Sequence, residues 1–435
     1  MKQTLVGTKE TKISSLARPS LLSSPAGLAI LAPVFFLVLL SHRPNVLLHA
    51  ELWGDDGWTW YPQAYTGGLG SLTIPVGGYL NSFQRLIAIG AQVFPLHIVP
   101  TIFATVGLLV QIAPALFLVS DRMAEAWPNG VGRLFFALFS LALPNAFEIH
   151  GNLTNSQWHL ALLAFLVLVS APPVGWVGQV FDSLVLLVSG LSGPFCILLL
   201  PVALWQVMER RRPVDVWRIG LVGATVLVQI GFLLGHHGQR SLAPLGAGPL
   251  TLARIVALQL LIGPELGFRS MESILSSPWW QNNSLPLAIT AAGAMISLPV
   301  VLHGPRLWQK FALFAALVFT AGLARPLVSA TEPQWPLMAT PLMGERYYVF
   351  MMLAWVGVLF VLVSKHNWPA RILGLALLLL MVVWSIPGDW HGLDMAPTDF
   401  VARARVFEAA PPGTRMEFPI FPPGVAPMVL VKRLD

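Results

Sequence analysis

Long runs of apolar residues, separated by short polar stretches, repeat along the chain from Leu28 to Ile386. A run of roughly 20 apolar residues is long enough for a helix to cross the hydrocarbon core of a bilayer. The pattern therefore predicts an all-α polytopic membrane protein with about eleven transmembrane helices. The predicted spans are 25–41, 96–120, 133–149, 158–172, 180–192, 194–208, 216–235, 285–302, 311–329, 346–364 and 370–387.

Two places depart from this pattern. The runs 180–192 and 194–208 are each too short to cross alone, and they meet at the polar stretch 189–194. This favours either a broken helix or a pair of short helices. The stretch 249–264 contains Arg254 and Gln259, so we expect it in the membrane interface or in a buried groove.

The basic residues predict an orientation, because lysine and arginine are enriched in short cytoplasmic segments of membrane proteins. They occur in an N-terminal tail (1–24) and around Arg122, Arg210 and Lys310, so these segments are predicted to be cytoplasmic. The span 25–41 is then an uncleaved signal anchor, and residues 25–387 form the transmembrane domain. The segments predicted outside are 42–95, 150–157, 236–284, 330–345 and a small C-terminal cap, 388–435, with a short helix and a strand pair.

The composition narrows the class of protein. Hydrophobic residues make up 55% of the 435-residue chain and charged residues only 11%. A soluble domain carries about 25% charged residues, so a soluble enzyme, a disordered regulator and a disulfide scaffold are excluded. The formal charge of +6 comes from short tracts between apolar runs, which indicates contact with membrane lipids and not with nucleic acid. Cys196 is the single cysteine, and no phosphate-loop motif occurs.

The densest group of ionisable residues follows the first span. Glu51, Asp55 and Asp56 are flanked by aromatic residues, among them Trp58. Two adjacent carboxylates repel each other beside a bilayer unless a proton or cation separates them. Aromatic rings stack on the C–H faces of sugars. This group is therefore a candidate sugar site, although a solvated loop with an interfacial tryptophan belt remains the alternative.

A second group lies at the outer end of the tenth predicted span. Arg346, followed by Tyr347, is placed to bind a phosphate through forked hydrogen bonds. Arg346 could equally reach lipid headgroups or pair with Glu345. Its predicted position on the same face of the membrane as the acid pair favours a role in the site.

A third group joins the third and fourth spans. His150, Asn155 and Gln157 bring hydrogen-bonding side chains into a short turn, which suits a polar ligand. The alternative is that they satisfy the helix ends. Weaker candidates are Arg85 and Arg240, together with His236, His237 and Arg325.

These features resemble the GT-C superfamily of integral membrane glycosyltransferases, in which an acidic motif follows the first span. The stretch 53–57 (Trp-Gly-Asp-Asp-Gly), then residues 77–80 and Arg85, resembles a group of bacterial members that read Trp-Ala-Glu-Asp-Gly. Asp55 stands where that group has Glu. Residues 152–158, 191–194 and 344–347 also look similar, so the resemblance spans most of the chain.

The resemblance implies an enzyme of the bacterial cytoplasmic membrane with an extracytoplasmic active site. Its reaction would be the inverting transfer of a sugar from a polyprenyl-phosphate donor to a glycan or lipid acceptor of the cell envelope. Asp56 would be the general base, and Asp55 would orient the acceptor or hold a divalent ion. Arg346, with Arg85 or Arg240, would offset the charge on the departing phosphate. Whether Mg²⁺ or Mn²⁺ is required stays open.

Other functions remain open at this point. A transporter or flippase would use a broken helix, such as the one at 192–194, around a site in the middle of the membrane. Against this, the polar residues gather at the predicted outer surface. A non-catalytic assembly protein of envelope polysaccharide synthesis would keep the fold without activity. A glycan polymerase or ligase that uses lipid-linked oligosaccharide is chemically closest.

Overall fold

The computed structural model describes residues 23–236, 242–392, 398–422 and 424–434, and within them the chain is mostly helical. Most of the N-terminal tail and the candidate residues His237 and Arg240 lie outside the described residues. The first ten α-helices are α1 (Pro25–His42), α2 (Asn45–Leu48), α3 (Tyr61–Gly67), α4 (Ser82–Ala91), α5 (Val99–Val119), α6 (Gly130–Leu141), α7 (Ser156–Val169), α8 (Gly175–Gly190), α9 (Phe195–Arg210) and α10 (Pro213–Gly235).

The rest of the chain adds shorter helices, the last long ones and a strand pair. The helices are α11 (Pro249–Ile255), α12 (Gly263–Leu266), α13 (Phe268–Leu275), α14 (Pro278–Gln281), α15 (Ser284–His303), α16 (Arg306–Ala324), α17 (Gln334–Met338), α18 (Val349–Val363), α19 (Trp368–Leu380), α20 (Ile386–Asp389) and α21 (Phe400–Ala409). The antiparallel strands are β1 (Arg415–Phe418) and β2 (Met428–Val431). The π-helical turns are Asp56–Trp60, Val256–Ile262 and Met381–Ser385, and the 3₁₀ turns are Gly68–Thr73, Leu96–Ile98, Asp121–Met123, Phe147–Ile149 and Glu345–Tyr347.

Seven of the described helical segments are long and apolar enough to cross a membrane, which agrees with a helical polytopic membrane protein. They are Pro25–His42, Leu96–Val119, Pro213–Gly235, Pro249–Leu266, Ser284–His303, Arg306–Ala324 and Trp368–Asp389. Four shorter apolar helices, α6, α7, α8 and α18, accompany them. The predicted spans coincide with α1, α5–α10, α15, α16, α18 and α19 with shifted ends, whereas the number that crosses a bilayer stays a prediction.

The two ends of the helical bundle differ: long connecting segments pack together at one end, and arginine residues form ion pairs at the other. At one end, which we call the loop end, the segments 43–95, 142–155, 325–348 and 398–434 pack against one another. At the other end, which we call the basic end, Arg122 and Arg218 both bind the carboxylate of Asp182. Residues 43–95, 150–155, 330–345 and 398–434 of the loop end belong to segments that the sequence predicts outside the cell. Residues 142–149, 325–329 and 346–348 belong to the ends of predicted spans.

The two short runs form a pair of separate helices and not one broken helix. Asp182 places the first half of α8 at the basic end, and the carbonyl of Leu191 accepts a hydrogen bond from Ser82 N–H at the loop end. The following helix, α9, returns to the basic end, where Glu209 pairs with Lys310. The short helices α8 and α9 therefore run in opposite directions.

The stretch 249–264 is part of one continuous helical segment, Pro249–Leu266, whose 18 residues measure about 27 Å. Arg254 near its start binds Asn283, which precedes α15. Phe268, just after its end, donates its N–H to Asp389 at the end of α20. Both ends therefore contact loop-end segments, and its middle packs against α15. Its length and apolar character place it among the segments that could cross a membrane, so its expected position in the interface or in a buried groove stays a prediction.

The C-terminal segment 398–434 packs on the first loop as a cap. Phe400, Ala404 and Phe407 of α21 are buried, whereas Val401 is 40% exposed. They form one apolar cluster with Leu52 and Trp60 of the first loop. The predicted short helix and strand pair are both present. This cap holds the loop that carries the acid pair.

Candidate functional site

A cavity of about 700 Å³ opens at the loop end of the bundle. Its wall contains parts of the first loop, the α6–α7 connection, the start of α9, the α16–α18 connection and the C-terminal cap. Asp55, Glu148, Arg325 and Arg346 are among its charged lining residues. The cavity therefore collects side chains from segments that lie far apart in sequence.

A sharp turn in the first loop sets the direction of the acid pair. Gly54 adopts φ 37°, a conformation that favours glycine, and its N–H donates to Phe421 O in the cap at 2.7 Å. The π-helical turn Asp56–Trp60 follows. Gly57 in this turn packs so closely that a Cβ atom there would lie 2.7 Å from Cγ2 of Ile420. The cap thus fixes the turn from outside.

Asp55 faces the cavity. Its Oδ1 accepts a hydrogen bond from the Thr59 hydroxyl at 3.2 Å. Burial raises the pKa of Asp55, and the positive charge of Arg346 together with the Thr59 hydroxyl acts in the opposite direction. Because it is only partly buried, this carboxylate is available to a ligand in the cavity.

Asp56 lies behind the cavity wall and is 1% exposed. Its Oδ1 accepts a hydrogen bond from the Thr154 hydroxyl at 2.6 Å, and Thr154 in turn accepts one from Trp60 Nε1 at 3.0 Å. Burial raises the pKa of Asp56 to about 7, opposed by its hydrogen bonds to Thr154 and the backbone. Of the two acids, Asp55 lines the cavity and Asp56 does not, while the role of general base expected at Asp56 stays a prediction.

Arg346 lines the same cavity as Asp55 and is held by several contacts. It forms an ion pair with Glu148 and donates to Leu327 O at 2.5 Å. Its guanidinium lies over the ring of Tyr347, 4.7 Å from the centroid. The side chain pairs with Glu148 and not with Glu345, the partner considered from the sequence. These contacts position one cation close enough to Asp55 for the two charges to interact.

Glu148 and Glu345 tie the two connections together. The N–H of Glu148 donates to Glu345 Oε2 at 2.6 Å, and the N–H of Arg346 donates to Glu148 Oε2 at 3.1 Å. Glu345 is 1% exposed, and burial raises its pKa to about 8. These two hydrogen bonds hold the α6–α7 and α16–α18 connections together at the wall of the cavity.

Aromatic rings form much of the remaining wall. Trp53, Trp58, Tyr79, Trp158 and Tyr347 all line the cavity. Trp58 is 44% exposed, and its Nε1 donates to Ala426 O of the cap at 2.6 Å, which fixes the plane of the ring. Rings of this kind, beside carboxylate and guanidinium groups, suit the alternating apolar and polar faces of a sugar.

The third group of candidates is divided by the structure. Asn155 and Gln157 line the cavity, and Gln157 Oε1 is a buried atom without a hydrogen-bond partner in the described part of the chain. His150 does not line it. Its ring nitrogens lie 3.1 Å from Gln111 Nε2 and 3.0 Å from Leu39 O, so it joins α1 and α5.

Two further candidates lie outside the cavity wall. Glu51 accepts hydrogen bonds from the N–H and the hydroxyl of Thr398, at 2.9 and 2.7 Å, so it anchors the cap. Arg85 is fully buried behind Trp60, with its guanidinium 5.3 Å from the ring centroid. None of its side-chain nitrogens has a hydrogen-bond partner among the described residues. Arg85 thus supports Trp60 and does not reach the cavity.

The donor set at Asp55 does not fit a divalent ion. Among the cavity's acids, Glu148 is engaged by Arg346 and Glu345 is buried, while Asp56 faces the backbone of residues 153 and 154. The described residues contain no group of three or more His, Cys, Asp or Glu side chains placed to hold a metal ion. A divalent ion such as Mg²⁺ needs several oxygen ligands. Here Asp55 would have to bind it close to the positively charged guanidinium of Arg346, which would repel the ion.

Sequence reasoning singled out neither Glu148 nor Thr154 as site residues, although both lie in the polar turn that drew attention. Their partners, Arg346 and Asp56, are 198 and 98 positions away. Glu148 could have been found from the charge of Arg346. An arginine at the loop end needs an acidic partner where it is shielded from water, and few acids occur in this chain.

The cavity also has an apolar side. Leu198 of α9 lies opposite Val318, Ala321 and Gly322 of α16 on its wall. The cavity therefore extends from charged groups at the loop end toward the faces of two bundle helices. A ligand with a polar head and an apolar tail matches this division.

Comparisons of the chain with protein-family models, with curated proteins and with solved structures gave no match.

Proposed function

We propose that the protein is a membrane glycosyltransferase. It would move a sugar from a polyprenyl-phosphate donor to a glycan or lipid acceptor of the cell envelope, on the outer face of the bacterial cytoplasmic membrane. The observation that carries this proposal is the 700 Å³ cavity, which is lined by Asp55, Arg346 and several aromatic rings. A GT-C architecture with about eleven spans belongs to the same proposal.

In the proposed reaction Asp55 acts as the general base. Its carboxylate takes the proton of the acceptor hydroxyl as that oxygen forms a bond to the anomeric carbon. The bond between the anomeric carbon and the phosphate oxygen breaks, and its electron pair stays on the polyprenyl phosphate. Attack from the face opposite the leaving group inverts the anomeric centre.

Arg346 supplies the charge that the leaving phosphate needs. Its guanidinium is held by Glu148 and Leu327, so little reorganisation is required when negative charge develops. Arg325 adds a second positive charge on the same wall. Both arginines come from the α16–α18 connection, beside the apolar wall of α9 and α16 that suits the lipid tail.

Asp56 has a positioning role in this proposal. Together with Thr154 and Trp60 it ties the first loop to the α6–α7 connection directly behind Asp55. Its substitution is expected to reduce transfer less than substitution of Asp55. The divalent ion considered from the sequence has no step in this mechanism.

The proposal is tested with membranes that contain the full chain, radiolabelled polyprenyl-phosphate hexose and a mixed pool of envelope-glycan acceptors. We expect Asp55→Asn to lower the transfer rate by about 10²–10⁴ while the protein remains folded and inserted. Asp399→Asn is the matched control, because this acid lies on the exposed surface of the cap.

Near-normal transfer by Asp55→Asn would refute its role as base. If neither the wild type nor any variant transfers label from any donor, the enzyme proposal fails, and transport or a non-catalytic role in envelope assembly takes its place. An Asp55→Asn/Asp56→Asn double variant that still supports envelope synthesis in cells would favour the non-catalytic role.

A further inference from the structure

A second cavity, of about 500 Å³, lies at the loop end on the other side of the 336–344 segment. Ala339 and Thr340 line this cavity, whereas Leu342, Met343 and Gly344 line the first one. The remaining wall comes from the start of the Pro249–Leu266 segment and from residues 275–283. None of the candidate site residues described above lies in it.

Arg254 is the one charged residue on this wall, and no acidic residue lines the cavity in the described part of the chain. Its Nε donates to Asn283 Oδ1 at 2.8 Å, and its Nη2 donates to Gln281 O at 3.3 Å. The hydrogen bonds of this side chain among the described residues all use Nε and Nη2, and none uses Nη1. The guanidinium is thus fixed in place with one nitrogen left for a ligand, and an anion is the ligand that it favours.

The surroundings of the cavity are apolar. Leu250 on its rim is 48% exposed, Trp279 beside it is 67% exposed, and Leu287, one turn along α15, is 48% exposed. Only 17% of the apolar window of α15 is buried inside the protein. A lipid-facing helix below an exposed tryptophan is typical of the boundary between hydrocarbon and headgroups.

We propose that this cavity binds the phosphate headgroup of an anionic lipid from the adjacent leaflet, with Arg254 at the phosphate and the acyl chains along α15. The polar side chains of Thr251, Asn283 and Thr340 on the wall provide hydrogen-bonding groups for the rest of the headgroup. A bound lipid would support the 336–344 segment from the side opposite the first cavity. The inference does not rest on the proposed transferase activity.

The test uses the full chain purified in a neutral detergent, with native mass spectrometry to count bound lipid. Phosphatidylglycerol is titrated against phosphatidylcholine, and inorganic phosphate is added as a competitor. We expect a saturable phosphatidylglycerol site that Arg254→Gln weakens about tenfold or more. Arg269→Gln, an exposed arginine near the same end of the molecule that does not line the cavity, is the matched control and should bind normally.

Thr251→Phe provides a second variant, because it fills the cavity and leaves the hydrogen bonds of Arg254 intact. It should weaken binding even if Arg254→Gln fails to fold. Equal binding of both lipids, or unchanged binding by both variants, would overturn the proposal. Displacement of the lipid by millimolar inorganic phosphate, in a manner that depends on Arg254, would show a site for free phosphate and overturn the lipid assignment.

Discussion

The acids around the main cavity differ in burial, and the roles proposed for them rest on this difference. Asp55 is half-buried with a hydroxyl partner, whereas Asp56 and Glu345 are each 1% exposed. A buried carboxyl group favours its protonated form, because the charged form loses hydration. Adjacent acids in the sequence can therefore serve as a base and as a structural hydrogen-bonding group.

A pH dependence of stability follows for Glu345. Its pKa is about 8 in the folded protein, above the ordinary value of 4.5, so unfolding releases a proton between these two values. Stability therefore falls as pH rises through this window, and Asp56, with a pKa of about 7, adds to the same trend. Glu345→Gln should reduce the drop in Tm between pH 5 and pH 8 by on the order of 2 °C or more.

The measurement is thermal unfolding followed by tryptophan fluorescence in detergent at several pH values. The exposed Glu272→Gln is the control and should follow the wild-type profile. An identical pH profile for Glu345→Gln and the wild type would show that Glu345 is already ionised in the folded protein.

At the scale of elements, the cap and the first loop fix each other. Gly57 lies against Ile420, Gly54 donates to Phe421, and Trp58 donates to Ala426. Each contact joins the turn that carries Asp55 to the C-terminal segment. The position of Asp55 should therefore depend on the surface of the cap.

We expect Gly57→Ala to destabilise the protein by about 1–3 kcal/mol and to lower transfer, because the new methyl group would lie 2.7 Å from Ile420 Cγ2. Ile420→Ala removes that atom, so the double variant should be more stable than the sum of the single changes predicts. Unfolding in denaturant and the transfer assay measure the two effects.

Gly220→Ala in α10 is the control, since a Cβ atom there meets nothing within 4 Å. Simple additivity of Gly57→Ala and Ile420→Ala would mean that the two residues are not in contact.

The features that could be predicted from the sequence were those set by the local pattern of apolar and polar residues. Apolar runs located the long helices, and the polar turns located the connections that form the cavity. The direction of Asp55 and Asp56 was not predictable, because it depends on Gly54 at φ 37° and on Thr154, which is 98 positions from Asp56. Glu51 was expected in the site. Its actual contact with the cap was not predictable, because its partner Thr398 is 347 positions away.

At the scale of the whole molecule, the charged groups divide between the two ends of the bundle. Arg122, Arg210, Arg212 and Lys310 lie at the basic end, and the main cavity opens at the loop end. The enrichment of lysine and arginine in cytoplasmic segments predicts that the loop end lies outside the cell. Access of substrates to the cavity depends on this orientation.

The orientation can be checked by cysteine labelling, because Cys196 is buried and the background variant Cys196→Ala carries no other thiol. In that background we expect Asp399→Cys to react with a membrane-impermeant maleimide in intact bacterial cells. Arg212→Cys, at the basic end, should react only after the membrane is permeabilised. The reverse pattern would place the cavity on the cytoplasmic side and contradict an outer-face reaction.

The hydrogen bond from Gly54 to Phe421 has a consequence for biosynthesis. The two residues are separated by most of the chain, so the first loop and the bundle helices are synthesised well before this wall of the cavity can form. A truncated polypeptide could insert its helices and still lack the surface that orients Asp55. The pocket is therefore completed only after residue 421 has been synthesised, long after the helices that carry its other walls.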